Sequence, residues 1–473
     1  MMRLASLADL RDRYDIVIVG AGPAGMAAAA EAGGHGLSVL LLDENRGFGG
    51  QTFRAVEHSP LRAHPLLGAS FARGDRLAAA LGSVDIEYLS EATVWHLDPT
   101  LTIALSRQGH ARGLTTRRVI VATGALERPM PVPGWTLPGV MTVGGAQTLL
   151  KAQGLLPHGR VVLAGSGPLL WLYAAQCVTA GMPPSLVLDT TGRANWIAAL
   201  GHLPAFLASP YLAKGLALLL RVRRAVRLVS CVDALAINEL GGALCVSWPG
   251  GEAAADHVLL HQGVVPHSNL VQAAGCAVRW RADQACFAPV TSDWGDSSIP
   301  GIGIAGDGAG IAGAEAAEAD GRIAALAALY ALGAIDASAR DTRSIPHRRA
   351  RARAHAGRAF LDTMYLPAPS FRTAAPDVIA CRCEEVSGAA VRAVAAKGAM
   401  GPNQAKAFLR CGMGPCQGRL CGLTVVETLA AARGTTPAEI GPLRIRNPIK
   451  PVSLAEIASM ASTEAELAAV ERQ

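Results

Sequence analysis

Charged residues are scarce in this 473-residue sequence: they make up 17% of it, whereas apolar residues make up 51%. This balance excludes an intrinsically disordered chain. The formal net charge of +6 is small for the length, and it lacks the concentrated basic surface that a nucleic-acid partner would require. Residues 1–15 contain no apolar run, so we expect no secretory signal and a cytoplasmic location.

A long uninterrupted apolar run is also missing. The least polar stretch, residues 197–220, is interrupted by His202, Pro204, Pro210 and Lys214, whereas a membrane-spanning helix needs about 20 mostly apolar residues. We therefore expect a helix that is buried or lies at an interface, with a spanning helix as the alternative. Contact of this stretch with a partner or with a membrane surface stays open.

The first Gly-rich turn lies between a predicted strand at 14–19 and a predicted helix at 24–32. Its sequence is Gly20-Ala21-Gly22-Pro23-Ala24-Gly25. The three glycines allow a tight turn, close approach of the backbone to a pyrophosphate, and close packing of helix on strand. Asp43 and Glu44 follow a second strand at 38–42, where a carboxylate would accept hydrogen bonds from a ribose. The pattern predicts a Rossmann-type dinucleotide-binding unit.

Three later motifs favour FAD as the dinucleotide. They are Gly49-Gly50-Gln51, Ala122-Thr123-Gly124-Ala125 and Ile304-Ala305-Gly306-Asp307. Together with the first turn they resemble the two-dinucleotide-domain flavoproteins of the glutathione and thioredoxin reductase class, over residues 14–335. The resemblance implies an α/β fold with two Rossmann-like domains, with Gly50 and Gln51 near the flavin. It also implies that Gly306 and Asp307 bind the ribityl chain and the diphosphate.

A second strand–turn–helix unit covers residues 160–180. Its turn reads Gly165-Ser166-Gly167-Pro168-Leu169-Leu170. Leu170 stands where the third glycine is expected, and Asp189 ends the next strand where a ribose-binding acid would lie. Three interpretations stay open for Gly165 and Gly167: a nicotinamide site, a site for a second adenine nucleotide, and a structural relic.

Several reactive constellations are missing. Cys177 is the only cysteine between residues 40 and 180, so there is no CxxC or CxxxxC pair of the disulfide reductases. No Ser/His/Asp triad or pair of carboxylates can be placed, and no catalytic residue is assigned. His261 and His267 flank a short loop and are expected to be loop or core histidines.

Five of the ten cysteines crowd into one segment: Cys381, Cys383, Cys411, Cys416 and Cys421. Without an export signal such crowding suggests a metal rather than disulfides. Thiolates suit an iron–sulfur cluster or zinc, and unligated thiols are the third alternative.

The Cys-x-Cys pair with a second pair about thirty residues later resembles the bacterioferritin-associated ferredoxin domain, which carries a 2Fe-2S cluster. Matching that domain selects Cys381, Cys383, Cys416 and Cys421 as ligands and leaves Cys411 unligated. Four residues separate the last two ligands here, where the small ferredoxin has two.

The predicted organisation follows from these motifs. It comprises an FAD-binding domain over 1–125 and 290–345, a second nucleotide-binding-like domain over 126–289, a linker helix over 346–375, a 2Fe-2S domain over 376–430 and a C-terminal tail over 431–473. The linker contains an Arg-rich run within 344–358. We expect this run to be the solvated face of a helix, with an anionic-partner surface as the alternative.

The whole arrangement resembles the electron-transfer (alpha or A) subunits of heteromeric amine dehydrogenases. These include the A subunits of octopine and nopaline oxidase, the flavoprotein B subunit of hydrogen cyanide synthase and relatives of hydroxyproline dehydrogenase. The resemblance implies a D-amino-acid-oxidase-like flavoprotein partner that oxidises the substrate C–N bond, FMN at the subunit interface, and a small ferredoxin-like subunit. The present chain would relay electrons between flavin and the 2Fe-2S cluster of an opine, hydroxyproline or glycine dehydrogenase.

Two rival functions remain at this point. One is a self-sufficient NAD(P)H-dependent FAD oxidoreductase. The other is a non-catalytic regulatory subunit that binds a nucleotide and zinc.

Overall fold

Two mainly parallel sheets form the centre of the molecule. The computed structural model describes residues 1–68 and 71–460. The first sheet has eight strands, and Ile302–Ile304 pairs with its long strand His110–Val121. In spatial order the other seven are Met2–Arg3, Glu87–Leu89, Val39–Leu42, Arg13–Val19, His110–Val121, Thr102–Arg107 and Thr93–Leu97. Strand 39–42 and the last four residues of strand 13–19 are continuously apolar, as burial on both faces requires.

Two helices cover one face of the first sheet and pack closely on each other. They are Pro23–Ala32 and Ala314–Ala331. The contact depends on small residues: a Cβ placed on Gly321 would lie 2.0 Å from the carbonyl oxygen of Ala24. A third helix, Ala72–Gly82, packs beside them.

The second sheet is entirely parallel. Its five strands, in spatial order, are Arg227–Ser230, Leu186–Asp189, Val161–Ser166, His257–Gln262 and Val140–Thr142. A separate antiparallel meander consists of Ala236–Leu240, Ala243–Trp248 and Gly251–Ala255. The helices of this half are Val143–Gln153, Pro168–Thr179, Arg193–Ala199, Leu203–Leu207 and Tyr211–Ala225.

Two antiparallel ribbons accompany the crossing between the two halves. One pairs Ala125–Glu127 with Val264–Pro266, and the other pairs Val278–Arg281 with Cys286–Pro289. The short helix Asn269–Ala273 follows the first ribbon. Both passages of the chain between the halves therefore lie side by side.

The Arg-rich run belongs to a helix that begins at Ala337, earlier than the predicted linker boundary at 346, and ends at His355. Asp336 fixes this start, because its Oδ1 accepts a hydrogen bond from the Ala339 amide at 2.7 Å. Arg351 of this run pairs with Asp320 of the helix Ala314–Ala331 at 3.7 Å. Part of the basic run thus pairs with the first unit instead of forming only a solvated face.

The cysteine-containing unit is small and mainly helical. Its helices are Gly388–Ala396, Pro402–Leu409 and Gly422–Arg433, and a two-stranded ribbon joins Ile379–Cys381 to Val386–Ser387. The Trp135 indole donates a hydrogen bond to the carbonyl oxygen of Ile379 at 2.9 Å, which attaches the ribbon to the second half. The helix Arg358–Met364 precedes this unit.

The predicted tail returns to the first sheet. After the short helix Pro437–Ile440, the Ile449 amide donates to the carbonyl oxygen of Trp95 at 2.9 Å. The Asn447 side chain donates to the carbonyl oxygen of Leu97 at 3.0 Å. The last described helix is Leu454–Ala458, and the rest of the predicted tail, 461–473, lies outside the described residues.

The apolar stretch predicted as a buried or interfacial helix is broken and largely exposed. Ile197 is 70% and Leu200 58% exposed, so the buried interpretation is wrong for this face; Pro204 and Pro210 lie where the helices are interrupted. Within the described ranges, no single helix is long and apolar enough to cross a membrane. One bent pair, Arg193–Leu207 and Tyr211–Ala225 at 119°, meets the length and composition criteria only when taken together.

Candidate functional site

The first Gly-rich turn has the geometry that close approach of a ligand requires. Gly20 has a φ of +104°, and a Cβ on it would lie 2.5 Å from the Ala122 carbonyl oxygen. A Cβ on Gly25 would lie 1.7 Å from the carbonyl oxygen of Gly20, so only glycine fits between helix and strand. At Gly22, which precedes the helix Pro23–Ala32, an added Cβ would lie 3.8 Å from the Gly50 Cα.

The predicted ribose-binding acids lie at the end of the second strand. Asp43 is buried, and its Oδ2 accepts a hydrogen bond from the Ala21 amide at 2.5 Å. Its Oδ1 accepts from the Asn45 amide at 2.7 Å. Burial raises the pKa of Asp43, although these hydrogen bonds oppose the effect. Glu44 instead forms an ion pair with Lys450 of the C-terminal segment.

The Gly49-Gly50-Gln51 loop closes over the first turn. Gly50 has a φ of +57°, and a Cβ there would lie 2.8 Å from the Gly22 Cα. The Gln51 carbonyl oxygen accepts a hydrogen bond from Lys151 Nζ at 3.1 Å. Lys151 belongs to the helix Val143–Gln153 of the second half, and burial, followed by the charge of Arg54, lowers its pKa to about 7.

The remaining flavin-motif residues lie on neighbouring loops. Thr123 Oγ1 donates to the His267 carbonyl oxygen at 2.8 Å, and the His267 amide donates to the Gly124 carbonyl oxygen at 2.9 Å. A Cβ on Gly306 would lie 2.8 Å from the Cβ of Ala24. Asp307 Oδ1 accepts from the Gly313 amide at 2.8 Å, at the start of the helix Ala314–Ala331.

These surroundings fit a bound dinucleotide. Gly22 and Gly50 face each other directly, backbone to backbone. Within the described part of the chain, two buried polar atoms next to this region, Arg54 Nε and His267 Nε2, have no hydrogen-bond partner, and buried donors and acceptors are normally satisfied. The structure therefore brings the residues predicted for FAD to the carboxyl ends of the parallel strands of the first sheet. The two unpartnered polar atoms nearby could bind a ligand.

The second Gly-rich turn is filled differently. Gly165 has a φ of +144°, and a Cβ on it would lie 1.7 Å from the His261 carbonyl oxygen. A Cβ on Gly167 would lie 3.3 Å from Nε2 of the His261 side chain. His261 is buried at the end of the strand His257–Gln262, and its Nδ1 lies 2.5 Å from Glu127 Oε1. It is a core histidine, yet it faces the turn.

A cavity of about 230 Å³ lies between the two units. It is lined by Gly167 and His261 of the second unit and by Asp307 of the first. Leu366 and Pro367, which follow the helix Arg358–Met364, close another side. Residues predicted for two different cofactors, Gly167 and Asp307, thus share one cavity.

The five clustered cysteines meet in the C-terminal unit. The Cys381 thiol interacts with the thiols of Cys411 and Cys421, and these two contacts lower its pKa to about 2. The Cys416 thiol interacts with those of Cys421 and Cys383. All four predicted ligands therefore come together, but so does Cys411, which the resemblance left out.

The glycines of this segment allow the backbone to approach the sulfurs. The Gly412 backbone interacts with the Cys381 thiol and the Gly418 backbone with the Cys416 thiol. A Cβ on Gly414 would lie 2.5 Å from the Cys383 Cβ. Among the described residues, no three His, Cys, Asp or Glu side chains are arranged as a site for a metal ion. The ligand set remains a prediction.

The cysteine unit touches the short helix Asn269–Ala273, which begins two residues after His267, a neighbour of the flavin motif at Thr123 and Gly124. The Asn269 side chain donates to the Gln417 carbonyl oxygen at 2.9 Å. Burial, followed by the positive charge of Arg419, lowers the pKa of His267 to about 4. Arg419 also interacts with the charges of the Cys416 and Cys383 thiols. The half-buried side chains of His267 and Arg419 therefore lie between the Thr123 loop and the cysteines.

A buried ion-pair group fixes the cysteine unit to the rest of the molecule. Glu427, on the helix Gly422–Arg433, pairs with Arg372 and lies 3.5 Å from Arg128. Arg128 also donates to the carbonyl oxygens of Gln284 and Ala285, each at 2.9 Å. Removing Glu427 would leave the buried charge of Arg128 without a carboxylate partner.

Sequence reasoning missed several residues of this site. Glu127, Lys151, Asn269 and Arg419 have no motif of their own, and each is brought into place by a partner far away in the sequence. One weak indication existed for Arg419, because it stands between the cysteines at 416 and 421. For the others the sequence offered no indication.

The fold and the first turn define the class of the protein. Residues 14–321 match the family model of pyridine nucleotide-disulphide oxidoreductases, and residues 381–461 match the model of the sarcosine oxidase A3 domain. The solved structure of L-proline dehydrogenase from P. horikoshii superposes with a TM-score of 0.70 at 20% identity, covering 96% of this chain and 80% of that chain. The predicted α/β fold is confirmed, and the chain is an oxidoreductase of this class.

Curated relatives narrow the assignment. The A subunit of opine oxidase from Agrobacterium tumefaciens is 48% identical, with 98% of this chain and 95% of the relative covered. Hydrogen cyanide synthase subunit HcnB from Pseudomonas aeruginosa is 31% identical, with 92% and 96% covered. The chain belongs to the family of the opine oxidase A subunits. The predicted relationship to these subunits is confirmed at the level of the family.

Proposed function

We propose that this chain is the electron-transfer subunit of a multi-subunit, flavin-dependent amine or imino-acid dehydrogenase of the opine type. It holds FAD on the first dinucleotide unit and a 2Fe-2S cluster on Cys381, Cys383, Cys416 and Cys421. A D-amino-acid-oxidase-like partner subunit oxidises the substrate C–N bond, with FMN at the interface. The names of the relatives support this proposal, since the opine oxidase and hydrogen cyanide synthase relatives are both named as subunits.

The observation that supports the proposal most strongly is the contact of the cysteine unit with Asn269, close to His267 and the flavin motif at Thr123 and Gly124. Asn269 binds the backbone of Gln417, directly after Cys416. The backbone of His267 forms hydrogen bonds with Thr123 and Gly124. The positive charge of Arg419 contributes to the lowered pKa of the His267 side chain. A subunit that passes electrons between two bound groups needs the two sites to be neighbours, and the hydrogen bond from Asn269 to Gln417 supports such an arrangement.

The residues around the cysteines suit a negatively charged group. When bound, FAD and the cluster supply two centres that accept and release electrons. Arg419 places a positive charge beside Cys416 and Cys383, and backbone groups of Gly412 and Gly418 approach the sulfurs. Donors and positive charge near the sulfurs favour the more negative state of such a site.

The ligand set is tested with single substitutions. Cys416→Ser and Cys421→Ser should each remove the iron and the visible absorption of the cluster, while the flavin content per chain stays unchanged. Cys411→Ser is the matched control, because it removes a neighbouring buried thiol that the proposal does not use as a ligand. Iron content unchanged in both test variants would contradict the assignment, and loss of iron only in the control would move the ligand to Cys411.

The function itself is tested in the complex with the partner subunit. Substrate should still reduce the partner's flavin in the Cys416→Ser complex, whereas electron output to a quinone or a dye acceptor should be lost. If the wild-type complex and the Cys416→Ser complex passed electrons to the acceptor at the same rate, the electron-transfer role would be contradicted.

Two further measurements separate the rivals. Stopped-flow mixing with NADH should leave the flavin of the isolated chain oxidised over seconds, and rapid bleaching would instead favour a self-sufficient NAD(P)H oxidoreductase. A zinc-containing, colourless protein without flavin would favour a regulatory subunit. Iron, zinc and flavin are measured on the same preparation.

A further inference from the structure

The cysteine group comes nearest to the molecular surface at one loop. Three of its five thiols are buried, whereas those of Cys383 and Cys416 are half-buried. Met413, on the loop that leads to Cys416, is 44% exposed. A Cβ on Gly414 of the same loop would lie 2.5 Å from the Cβ of Cys383. An electron held by the cysteine group would therefore reach the surface of this chain most directly at residues 412–416.

Positive charge surrounds this loop. Residues 401–426 and 440–455 each contain three basic residues and no Asp or Glu. The six are Lys406, Arg410, Arg419, Arg444, Arg446 and Lys450. The two ranges lie side by side, because the Asn403 side chain accepts a hydrogen bond from the Arg444 amide at 2.7 Å and donates one to the Pro442 carbonyl oxygen at 3.2 Å. The C-terminal segment thus adds its charge to that of the cysteine unit.

The charge is only partly balanced by carboxylates. Arg410 pairs with Glu384 at 3.0 Å. Arg444 and Arg446 are exposed. Burial, followed by the charge of Arg446, lowers the pKa of Lys406, so like charges lie next to each other here. A surface with such an excess of positive charge attracts an anionic partner.

Exposed apolar side chains accompany the basic ones. Phe408, near the end of the helix Pro402–Leu409, is 68% exposed, and Leu420, next to Cys421, is 38% exposed. Aromatic residues, Met and Arg are the types that are enriched where proteins bind each other. The residue types around the loop are therefore those of a protein interface. We define the 408–446 surface as Phe408, Arg410, Met413, Arg444 and Arg446.

We propose that the 408–446 surface binds an acidic protein that accepts single electrons from the cysteine unit. The proposal rests on the electron-transfer function proposed above and adds the kind of partner that takes the electrons away. Oxidation of one C–N bond to C=N releases two electrons and two protons. Two carrier molecules are then reduced by one electron each, and the protons pass to water. Opposite charges raise the rate of encounter and orient the carrier, while the apolar side chains hold it beside the cysteines.

The proposal is tested in the complex with the partner subunit, using one electron acceptor in two charge forms. Native cytochrome c is basic, and succinylation of its lysines makes it acidic. With substrate present and at low ionic strength, the acidic form should be reduced faster by about tenfold or more. The difference should disappear at about 1 M salt, where charges are screened within about 3 Å.

Two variants separate the charged and the apolar contributions. Arg444→Glu combined with Arg446→Glu should reverse the preference, so that the basic form is reduced faster. Phe408→Ser should slow the reduction of both forms by about fivefold, because an apolar contact does not depend on the charge of the carrier.

Arg349→Glu combined with Arg353→Glu is the matched control. It makes the same change of charge at exposed positions of the helix Ala337–His355, and it should leave the preference for the acidic form unchanged. Iron content, flavin content and electron output to a small uncharged quinone should be equal in all variants, which verifies that each is folded and loaded.

Equal rates with the two forms of cytochrome c in the wild type, or an equal loss in the control, would overturn the docking proposal. The output to the small quinone would then still support the electron-transfer function. Absence of that output from the wild type would overturn both proposals. If the Arg444/Arg446 variant no longer co-purified with the partner subunit, the surface would belong to the interface with that subunit, and the docking proposal would again be wrong.

Discussion

The two Gly-rich turns share one plan but differ in what faces them. At the first turn, the space beside Gly22 is bordered by another glycine, Gly50, whose Cα would be 3.8 Å from an added Cβ. At the second turn, the corresponding Gly167 faces the imidazole of His261, with 3.3 Å from an added Cβ to Nε2. At the first turn, a ligand can approach the bare backbone of two glycines. At the second turn, the backbone faces the side chain of His261 from the same domain.

The two turns also differ at the position of the third glycine, which is Gly25 in the first turn and Leu170 in the second. Gly25 allows the helix to touch the strand, since a Cβ there would lie 1.7 Å from the Gly20 carbonyl oxygen. Leu170 is fully buried and packs in the core of the second unit. The bulky residue is therefore accommodated as a core side chain. Among the three interpretations of the second unit, these contacts favour a structural role over a nicotinamide site.

Both units retain the acid at the end of the second strand. Asp189 Oδ1 accepts hydrogen bonds from the Thr191 amide at 2.9 Å and the Thr191 hydroxyl at 2.6 Å, and burial raises its pKa, as it does for Asp43. An acid at this position thus also fixes the loop that follows it. Its presence alone does not identify a nucleotide site, and the glycine surroundings discriminate better.

The largest effect is expected when the third glycine of the first turn, Gly25, is replaced by leucine, the residue found at the equivalent position of the second turn. Gly25→Leu should abolish flavin binding and lower the free energy of unfolding by more than about 4 kcal/mol, because the added side chain collides with the Gly20 backbone. Flavin content per chain and chemical denaturation measure the two effects. Stoichiometric flavin in this variant would show that the first turn does not hold the cofactor as proposed.

A substitution at the equivalent position tests the second turn. Leu170→Ala should lower the free energy of unfolding by about 2–5 kcal/mol, because it leaves a cavity at a fully buried position. Flavin content per folded chain should stay the same. If flavin were lost while the protein remained folded, the second unit would take part in cofactor binding.

A milder substitution separates binding from folding. Gly22 has a φ of −76°, and an added Cβ would make only an ordinary contact with Gly50 at 3.8 Å. Gly22→Ala should therefore change the free energy of unfolding of the apoprotein by less than about 0.5 kcal/mol. The dissociation constant for FAD should rise by about tenfold or more, since the methyl group occupies the approach path of the pyrophosphate. Titration of the apoprotein with FAD checks this, and an unchanged dissociation constant would refute it.

The sequence was sufficient for those parts of this comparison that depend on local patterns. The turns, the flanking strands and the order of the elements follow from glycine spacing and apolar runs, as at Gly20–Gly25. The filling of the second turn was not predictable, because it depends on the pairing of His261 with Glu127, which are 134 residues apart. Hydropathy likewise could not show that the stretch around Ile197 faces outward, since an apolar helix looks the same whether it is buried or exposed.

The contact of Cys411 with Cys381 was also beyond the sequence. The family spacing selects four ligands but says nothing of where a fifth thiol packs. The return of the tail to the first sheet, with Lys450 beside Glu44, could not be predicted for the same reason. A long-range contact leaves no periodic pattern in the sequence.

The smallest expected effect concerns Lys151, a side chain from the second half that supports the first turn through Gln51. Burial, and then the charge of Arg54, lowers its pKa from 10.5 to about 7. Between these two values the unfolded chain binds more protons than the folded chain, so this group makes the free energy of unfolding rise with pH, by at most about 1.4 kcal/mol per pH unit. Below about pH 7 both states carry the charge, and this contribution becomes independent of pH.

Lys151→Met removes the charge while keeping a long apolar side chain, so its free energy of unfolding should lack that rise. Urea denaturation of both proteins at pH 6.5 and 8.5 should therefore show a wild type that gains relative to the variant at the higher pH. Lys397→Met, at an exposed position, is the control and should follow the wild type at both values. Parallel behaviour of wild type and Lys151→Met would mean that the lysine keeps its proton in the folded protein. The link between the two halves at Gln51 would then hold a buried cation, and the first turn would depend on the second half through that charge.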